Sequence, residues 1–315
     1  MLLKKADDKS KRLSLLEDLQ KSPLLDARQK TWLRDELMRL RKGIQGEKES
    51  AYFLDQHFKG GENHVVLHDL RLVIDGDVAQ IDHLIVNRAF GFYLIETKNY
   101  AGSVSINSMG EFTVDYDSQR FGVPSPIEQS RRHERILRTW LERLEITNRI
   151  GSDFEFHHVV MFHPKAIINR PAAKDFDTSN VIKADQFPSW HRRFVDKDLG
   201  IGSVFRGIAN MRSLETIKEW GEKLARQHRP ENPFELPEFM QPKQPPKTPS
   251  APKPAPPRQV PAVKVTDASM GEPQQKRLVC LHCNAKISYA EGRYCWSNST
   301  RFRGGQYCRE HQALF

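Results

Sequence analysis

The chain has 315 residues, 38% of them hydrophobic and 28% charged, with a formal net charge of +9. That composition fits one good-sized soluble domain with polar appendages. No run approaches the ~20 apolar residues of a membrane span, and MLLKKADDKSKRL lacks the apolar stretch of a secretion signal, so an integral membrane or Sec-exported protein is excluded and a cytoplasmic location expected.

In chain order, DARQKTWLRDELMRLRKG (26–43) places Trp32, Leu33, Leu37, Met38 and Leu40 at helical spacing, with Asp26 as its cap. This predicts a helical N-terminal arm over 1–44. A second helix is expected from Gly46 and Glu47, with Ala51, Phe53, Leu54 and Phe58 on its apolar side. HVVLHDLRLVI (64–74), IDHLIV (81–86) and GFYLIETKNY (91–100) read as strands, and SVSI with FTVDY as a following hairpin. PIEQSRRHERILRTWLERL (126–144) reads as a helix with Pro126 in its first turn. HHVVMFH (157–163) reads as a buried strand, VIKA (181–184) as a weaker one, and SLETIKEWGEKLARQ (213–227) as a closing helix capped by Ser213. The order helix, three strands, helix, strand implies an α/β sandwich on a mixed sheet. It would occupy 45–228, with its core over about 45–165.

Thirteen of the 19 prolines lie in residues 230–275. Proline lacks a backbone donor and fixes φ, so a disordered, semi-stiff linker is expected over 229–275. A separate module follows at 276–315. Charge divides at the same place. Residues 1–240 carry 37 basic and 36 acidic side chains, 241–275 carry 5 and 2, and 276–315 carry 7 and 2. A basic tail on a near-neutral body points to a polyanion partner, nucleic acid above all, with a merely solvated tail as the alternative.

The chemistry concentrates in QIDHLIVNRAFGFYLIETKNYAG (80–102). If Asn87–Gly91 closes a hairpin, opposing positions sum to 178 and Asp82 lies across from Glu96. Alternation along the strand puts Glu96 and Lys98 on one face, and Asp82 joins them. Two acids and a lysine among Ile, Leu, Val, Phe and Tyr repel and resist burial. A divalent cation, Mg²⁺ or Mn²⁺, would resolve this, polarise a phosphoryl oxygen and activate a water, with Lys98 orienting that water. A structural salt-bridge network of the same three groups is the competing reading. On the 126–144 helix, Gln129, His133, Leu137, Trp140 and Leu144 form one stripe, whose apolar end carries Gln129 and His133 toward the sheet. Arg131, Arg132, Arg135 and Arg138 lie on other faces, available to phosphates or to Glu128, Glu134 and Glu142. His157, His158 and His163 are read as core residues without a role.

All four cysteines lie between Cys280 and Cys308. This bunching points to a local metal site in a reducing compartment, not a disulfide framework. Cys280 with Cys283, and Cys308 with His311, form two knuckles 24 residues apart. They suit a structural Zn²⁺ that supplies the folding energy of a segment too short for an apolar core. Cys295 is the alternative ligand. Tyr289, Tyr294, Trp296, Phe302 and Tyr307 interleave with Lys286, Arg293, Arg301, Arg303 and Arg309. That pattern suits base stacking and phosphate pairing, or simply the module's own packing. The module is similar to the small zinc ribbons appended to topoisomerases and other DNA enzymes.

GEKESA (46–51), QIDH (80–83), GFYLIETKNYAGSV (91–104) and PIEQ (126–129), in that order, resemble the NERD family, the nuclease-related domain of the restriction-endonuclease-like PD-(D/E)xK superfamily. The resemblance covers about 40–165. It implies an αβββαβ core and metal-dependent hydrolysis of DNA. It also implies that Asp82 and Glu96 are the metal carboxylates, the Thr97 carbonyl a further ligand, and Lys98 the catalytic lysine. Glu47 would support the metal, and Gln80 and Gln129 would be polar neighbours. The signature's proline before the first Asp is absent, Gln80 and Ile81 standing there. A non-catalytic nucleic-acid-binding or scaffold protein on the same fold is the alternative.

Overall fold

In the computed structural model, β1 (Leu2–Lys4) leads into α1 (Ser10–Lys21) and α2 (Ala27–Phe58). Then come β2 (His64–Ile74), β3 (Asp77–Asn87), β4 (Gly91–Lys98), β5 (Ser103–Ile106), β6 (Phe112–Tyr116) and β7 (Gln119–Val123). α3 (Pro126–Arg143), β8 (Phe156–Phe162), β9 (Ile168–Asn169), β10 (Val181–Lys183), α4 (Phe187–Arg193), α5 (Ile201–Asn210) and α6 (Leu214–Arg226) complete a first unit, Met1–Gln244. The second unit, Pro245–Phe315, holds α7 (Tyr289–Ser297), α8 (Ser299–Phe302) and α9 (Arg309–Gln312). The structure describes residues 1–89, 91–100, 102–148, 153–198, 201–240, 278–283, 285–302 and 305–313. Most of the expected proline-rich linker, 229–275, lies outside them. Among the described residues, no helix is long and apolar enough to cross a membrane.

The protein is mixed α/β. A six-stranded sheet has the order β1-β2-β3-β4-β8-β10, and a four-stranded sheet the order β7-β6-β5-β9. β2, β3 and β4 are antiparallel neighbours, while β1, β8 and β10 run parallel to the strands they join. Removing the small sheet's strands leaves the expected order α2, β2-β3-β4, α3, β8.

Alternation decides the layers. Leu84, Val86, Phe92 and Leu94 pack with Leu137 and Leu141 of α3 and Ile217 and Trp220 of α6. Their neighbours Ile85, Tyr93 and Ile95 face the other way, onto Leu54 and Phe58 of α2 and Phe187 and Trp190 of α4. Both faces are covered, so these strands read as continuous apolar runs. Each such buried side chain contributes about 1.5–3 kcal/mol.

One helix of 32 residues stands where the sequence suggests two. A capping box opens it, the Asp26 carboxylate accepting from the Gln29 backbone and the Gln29 amide oxygen accepting from the Asp26 backbone. Gly46 does not break it. A Cβ there would lie 2.7 Å from the Asn99 Cβ, while the Asn99 Nδ2 donates to the Lys42 carbonyl. The glycine therefore marks a close approach of helix and sheet, not a boundary. Asp26 and Ser213 cap as expected, and Ser125 caps α3 ahead of Pro126. β1 is too short to announce itself in sequence, and β7 is too polar.

Candidate active site

The β2–β3 hairpin turns at Asp75 and Gly76, both at positive φ, the form that matches the twist of its strands. Its register pairs Ile74 with Asp77 and His68 with His83. The β3–β4 register pairs Asn87 with Gly91 and ends at His83 with Ile95. Both strands continue past that point. β3 stays with β2, and β4 stays with β8 as far as Lys98 and Phe162. The sheet therefore forks between β3 and β4, and the acids sit in the fork.

Asp82 spans the opening: its Oδ2 accepts the Thr97 backbone N–H at 2.7 Å. Glu96 is 2% exposed. Its Oε1 accepts from the Lys98 ammonium at 2.6 Å, and that ammonium also donates to the Gln129 Oε1 at 3.0 Å. The other Glu96 oxygen, Oε2, is buried with no hydrogen-bond partner among the described residues, and the His133 Nδ1 lies 3.8 Å from it. α3 thus delivers Gln129 and His133 to the sheet, as the stripe requires. From α2, the Glu47 Oε2 accepts from the Lys9 ammonium at 2.9 Å. Gln80 donates to Asp69 instead of reaching the fork directly.

Burial pushes the Asp82 carboxyl well above the usual range, and the charges of Glu96 and Glu47 push it further. Burial raises Glu96 too, against the opposing pull of Lys98, and raises Glu47 against Lys9. For Lys98, burial favours the neutral form, but Glu96 and Asp82 outweigh it and hold the ammonium above its ordinary value. Burial brings His133 down to about 4, helped by Arg132 and Lys98, so it is neutral at pH 7. Mutually repelling acids, hard oxygen donors and an orphaned buried carboxylate oxygen fit a divalent cation. Asp82 and Glu96 are the side chains that could hold one; among the described residues, Asp82, Glu96 and Glu47 do not converge as a trio within the ligand spacing that Cys280, Cys283, Cys308 and His311 reach.

Sequence reasoning does not reach four further groups here. Asp69, buried, sits at φ 54, a left-handed conformation that Asp tolerates better than most residues. Its Oδ2 lies 3.6 Å from the Lys9 Nζ. Close by, Asp55 meets the His68 Nε2 at 3.1 Å, the two histidine Nδ1 atoms of His68 and His83 lie 2.8 Å apart, and the His83 Nε2 meets the Thr97 Oγ1 at 3.2 Å. The hairpin register was the available signal, since the Asp-Gly turn sets Asp69 opposite Asp82 and His68 opposite His83. The remaining histidines are structural. His158 bonds Ser130 and Glu134, and His163 pairs with Glu49. Of the helix arginines, Arg131 pairs with Glu128 and Arg138 with Glu134.

In the second unit, one ligand atom each from Cys280, Cys283, Cys308 and His311 lies within 4.8 Å of all the others. The Cys283 and Cys308 sulfurs are 3.9 Å apart, and the His311 Nδ1 lies 3.1 Å from the Cys308 Sγ and 3.9 Å from the Cys280 Sγ. Such spacings suit a tetrahedral N/S metal site. Burial opposes ionisation of Cys280, yet hydrogen bonds from Cys308, Cys283 and His282 bring its thiol down to about 6. Cys295 lies outside this cluster: its sulfur accepts from the Tyr307 N–H at 3.3 Å and from the Gln312 Nε2 at 3.4 Å.

A mixed sheet thus opens over paired carboxylates, with a lysine two residues after the second. Residues 42–163 match the family model of the nuclease-related domain, NERD. The match runs from the second half of α2 through β8 and takes in Glu47, Asp82, Glu96, Lys98 and Gln129. No curated protein and no solved structure matches the chain.

Proposed function

We propose that the forked site is a divalent-metal-dependent nuclease centre that hydrolyses DNA phosphodiester bonds. The observation that carries this reading is the buried Glu96 Oε2 with no hydrogen-bond partner, beside an Asp82 destabilised as an anion. An unmet carboxylate oxygen costs a salt-bridge network stability, whereas it is a vacant ligand for a cation. Asp82, Glu96 and the Thr97 carbonyl would hold Mg²⁺ or Mn²⁺, with Glu47 in support. When bound, the ion supplies Lewis-acid polarisation of the phosphate and a more acidic water.

The chain's own residues do the rest. Lys98 keeps its proton under the charges of Glu96 and Asp82, and so offers a fixed positive charge to the phosphate oxygens. Gln129 fixes the position of that ammonium. His133, neutral at pH 7, can take or pass a proton beside Glu96. The second unit would hold Zn²⁺ through Cys280, Cys283, Cys308 and His311. It would assist nucleic-acid binding through the exposed rings of Tyr289, Tyr294 and Trp296.

The test incubates the purified chain with single-stranded, duplex and branched DNA plus Mg²⁺ or Mn²⁺, beside Asp82→Ala and Lys98→Ala. Metal-dependent cutting reduced about 100-fold or more in both variants is expected, the usual cost of removing such electrostatic groups. Binding without cutting, unchanged in both, would leave a non-catalytic nucleic-acid-binding protein in its place.

A further inference from the structure

The segment ahead of α1 lines a cleft that reaches Asp82. This cleft of about 360 Å³ has Leu2, Lys5, Asp7 and Lys9 on one side and Glu47, Asp69 and Asp82 on the other. The Lys9 ammonium lies 2.9 Å from the Glu47 Oε2 and 3.6 Å from the Asp69 Oδ2. Burial works against its charge, but Glu47, Asp69 and then Asp82 outweigh it and raise its pKa. A flexible side chain from outside the NERD segment thus places a positive charge among the acids that the metal reading needs.

We propose that Lys9 is a resident competitor for the divalent cation, so that the N-terminal segment regulates entry of metal to the nuclease centre. The inference rests on the metal reading of that centre. Its physical basis is that the Glu47 oxygen hydrogen-bonded to an ammonium has that lone pair engaged. An ion beside Asp82 also meets the repulsion of Lys9 at short range in a poorly screened cleft.

The segment is fastened where such control needs it. Lys4 donates to the carbonyls of His68 and Asp69 at 3.1 and 2.8 Å. The Asp7 backbone donates to the Asp69 Oδ2 at 3.1 Å, and the Asp7 carboxylate meets the His228 Nε2 at 2.8 Å. The left-handed backbone at Asp69 lets one residue present both its carbonyl and its carboxylate to this segment. The unusual conformation therefore coincides with the latch. Lys9 itself stands immediately before α1, so its side chain can swing out while the Lys4 and Asp7 anchors stay in place.

The experiment titrates Mn²⁺ calorimetrically into the full chain, loaded with zinc beforehand, and into Lys9→Gln and Lys9→Arg. In parallel, amine acylation of Lys9 is followed by peptide mapping with and without Mn²⁺. Lys9→Gln is expected to bind Mn²⁺ about tenfold tighter, within the usual size of a coupling between two ligands, and Lys9→Arg to resemble the parent. Mn²⁺ is expected to increase acylation of Lys9. Equal or weaker binding by Lys9→Gln overturns the competition and leaves the metal reading standing. Absence of Mn²⁺ binding in both the parent and Lys9→Gln removes the metal reading and this inference with it.

Discussion

The two clusters of polar side chains in this protein are built in opposite ways. Those of the fork come from α2, β3, β4 and α3, more than 80 residues apart at the extremes, and ride on an apolar core covered by helices on both faces. Those of the second unit come from two short knuckles, and its described buried hydrophobics are few: Cys280, Ile287, Cys295 and Phe302. In the first case the fold makes the site and carries its repulsion as a cost. In the second, a bound metal would make the fold, because so little apolar surface can be removed from water.

The contrast can be broken or sharpened by experiment. The largest effect belongs to metal removal. Chelation, or Cys280→Ser, is expected to abolish the folded spectrum of the second unit, a loss on the order of 10 kcal/mol of binding-coupled folding. The first unit's thermal transition should stay put. Heteronuclear NMR of the full chain separates the two, and a surviving second unit would refute the contrast. Cys295→Ser, outside the cluster, is expected to keep one zinc per chain by elemental analysis.

Next in size is Gly46→Val. The added atoms meet the Asn99 Cβ, and Gly46 lies one residue from Glu47. Overpacking here is expected to cost about 1–3 kcal/mol in urea unfolding.

A third prediction concerns the α2–α4 face. Burial brings His64 down to about 3 and His191 down to about 4, with neighbouring histidines adding to both. Their folded pKa values lie below the unfolded value near 6.5. The unfolded chain therefore takes up protons first as pH falls, and stability is lost from about pH 6.5 toward 4. His191→Phe keeps the stacking on Phe187 and should lessen that loss by about 2 kcal/mol at pH 4, read from thermal midpoints against pH.

The smallest effect tests the cost carried by the fork. Asp82 has a raised folded pKa, so its ionisation removes stability as pH climbs from the ordinary carboxylate range through that raised value. Asp82→Asn stays neutral and is expected to stabilise the metal-free first unit by about 1 kcal/mol at pH 7 while losing cutting. A destabilised variant would mean that Asp82 is a structural anion.

Much of this was legible in the chain. The 178 register of β3 and β4, the caps at Asp26 and Ser213, and the delivery of Gln129 and His133 follow from periodicity and turn chemistry, which act over a few residues. Lys9 was not legible, since a lone lysine in a charged segment carries no pattern. The continuity of α2 through Gly46 was hidden for a related reason: the glycine's cause is Asn99, just past the end of β4 and about fifty residues away. The histidine chain from Asp55 to Thr97 crosses four elements and leaves only a paired register as its trace.

Local rules, then, determined the elements, the alternation that sorts β2 to β4 into two faces, and the knuckle spacing of the last module. Tertiary structure alone decided that β3 and β4 part beyond His83 and Ile95, that one Glu96 oxygen is left without a partner, and that the Lys9 ammonium comes to rest against Glu47. Opening of a sheet and desolvation of a charge depend on everything packed around them, and no window of sequence contains that surrounding.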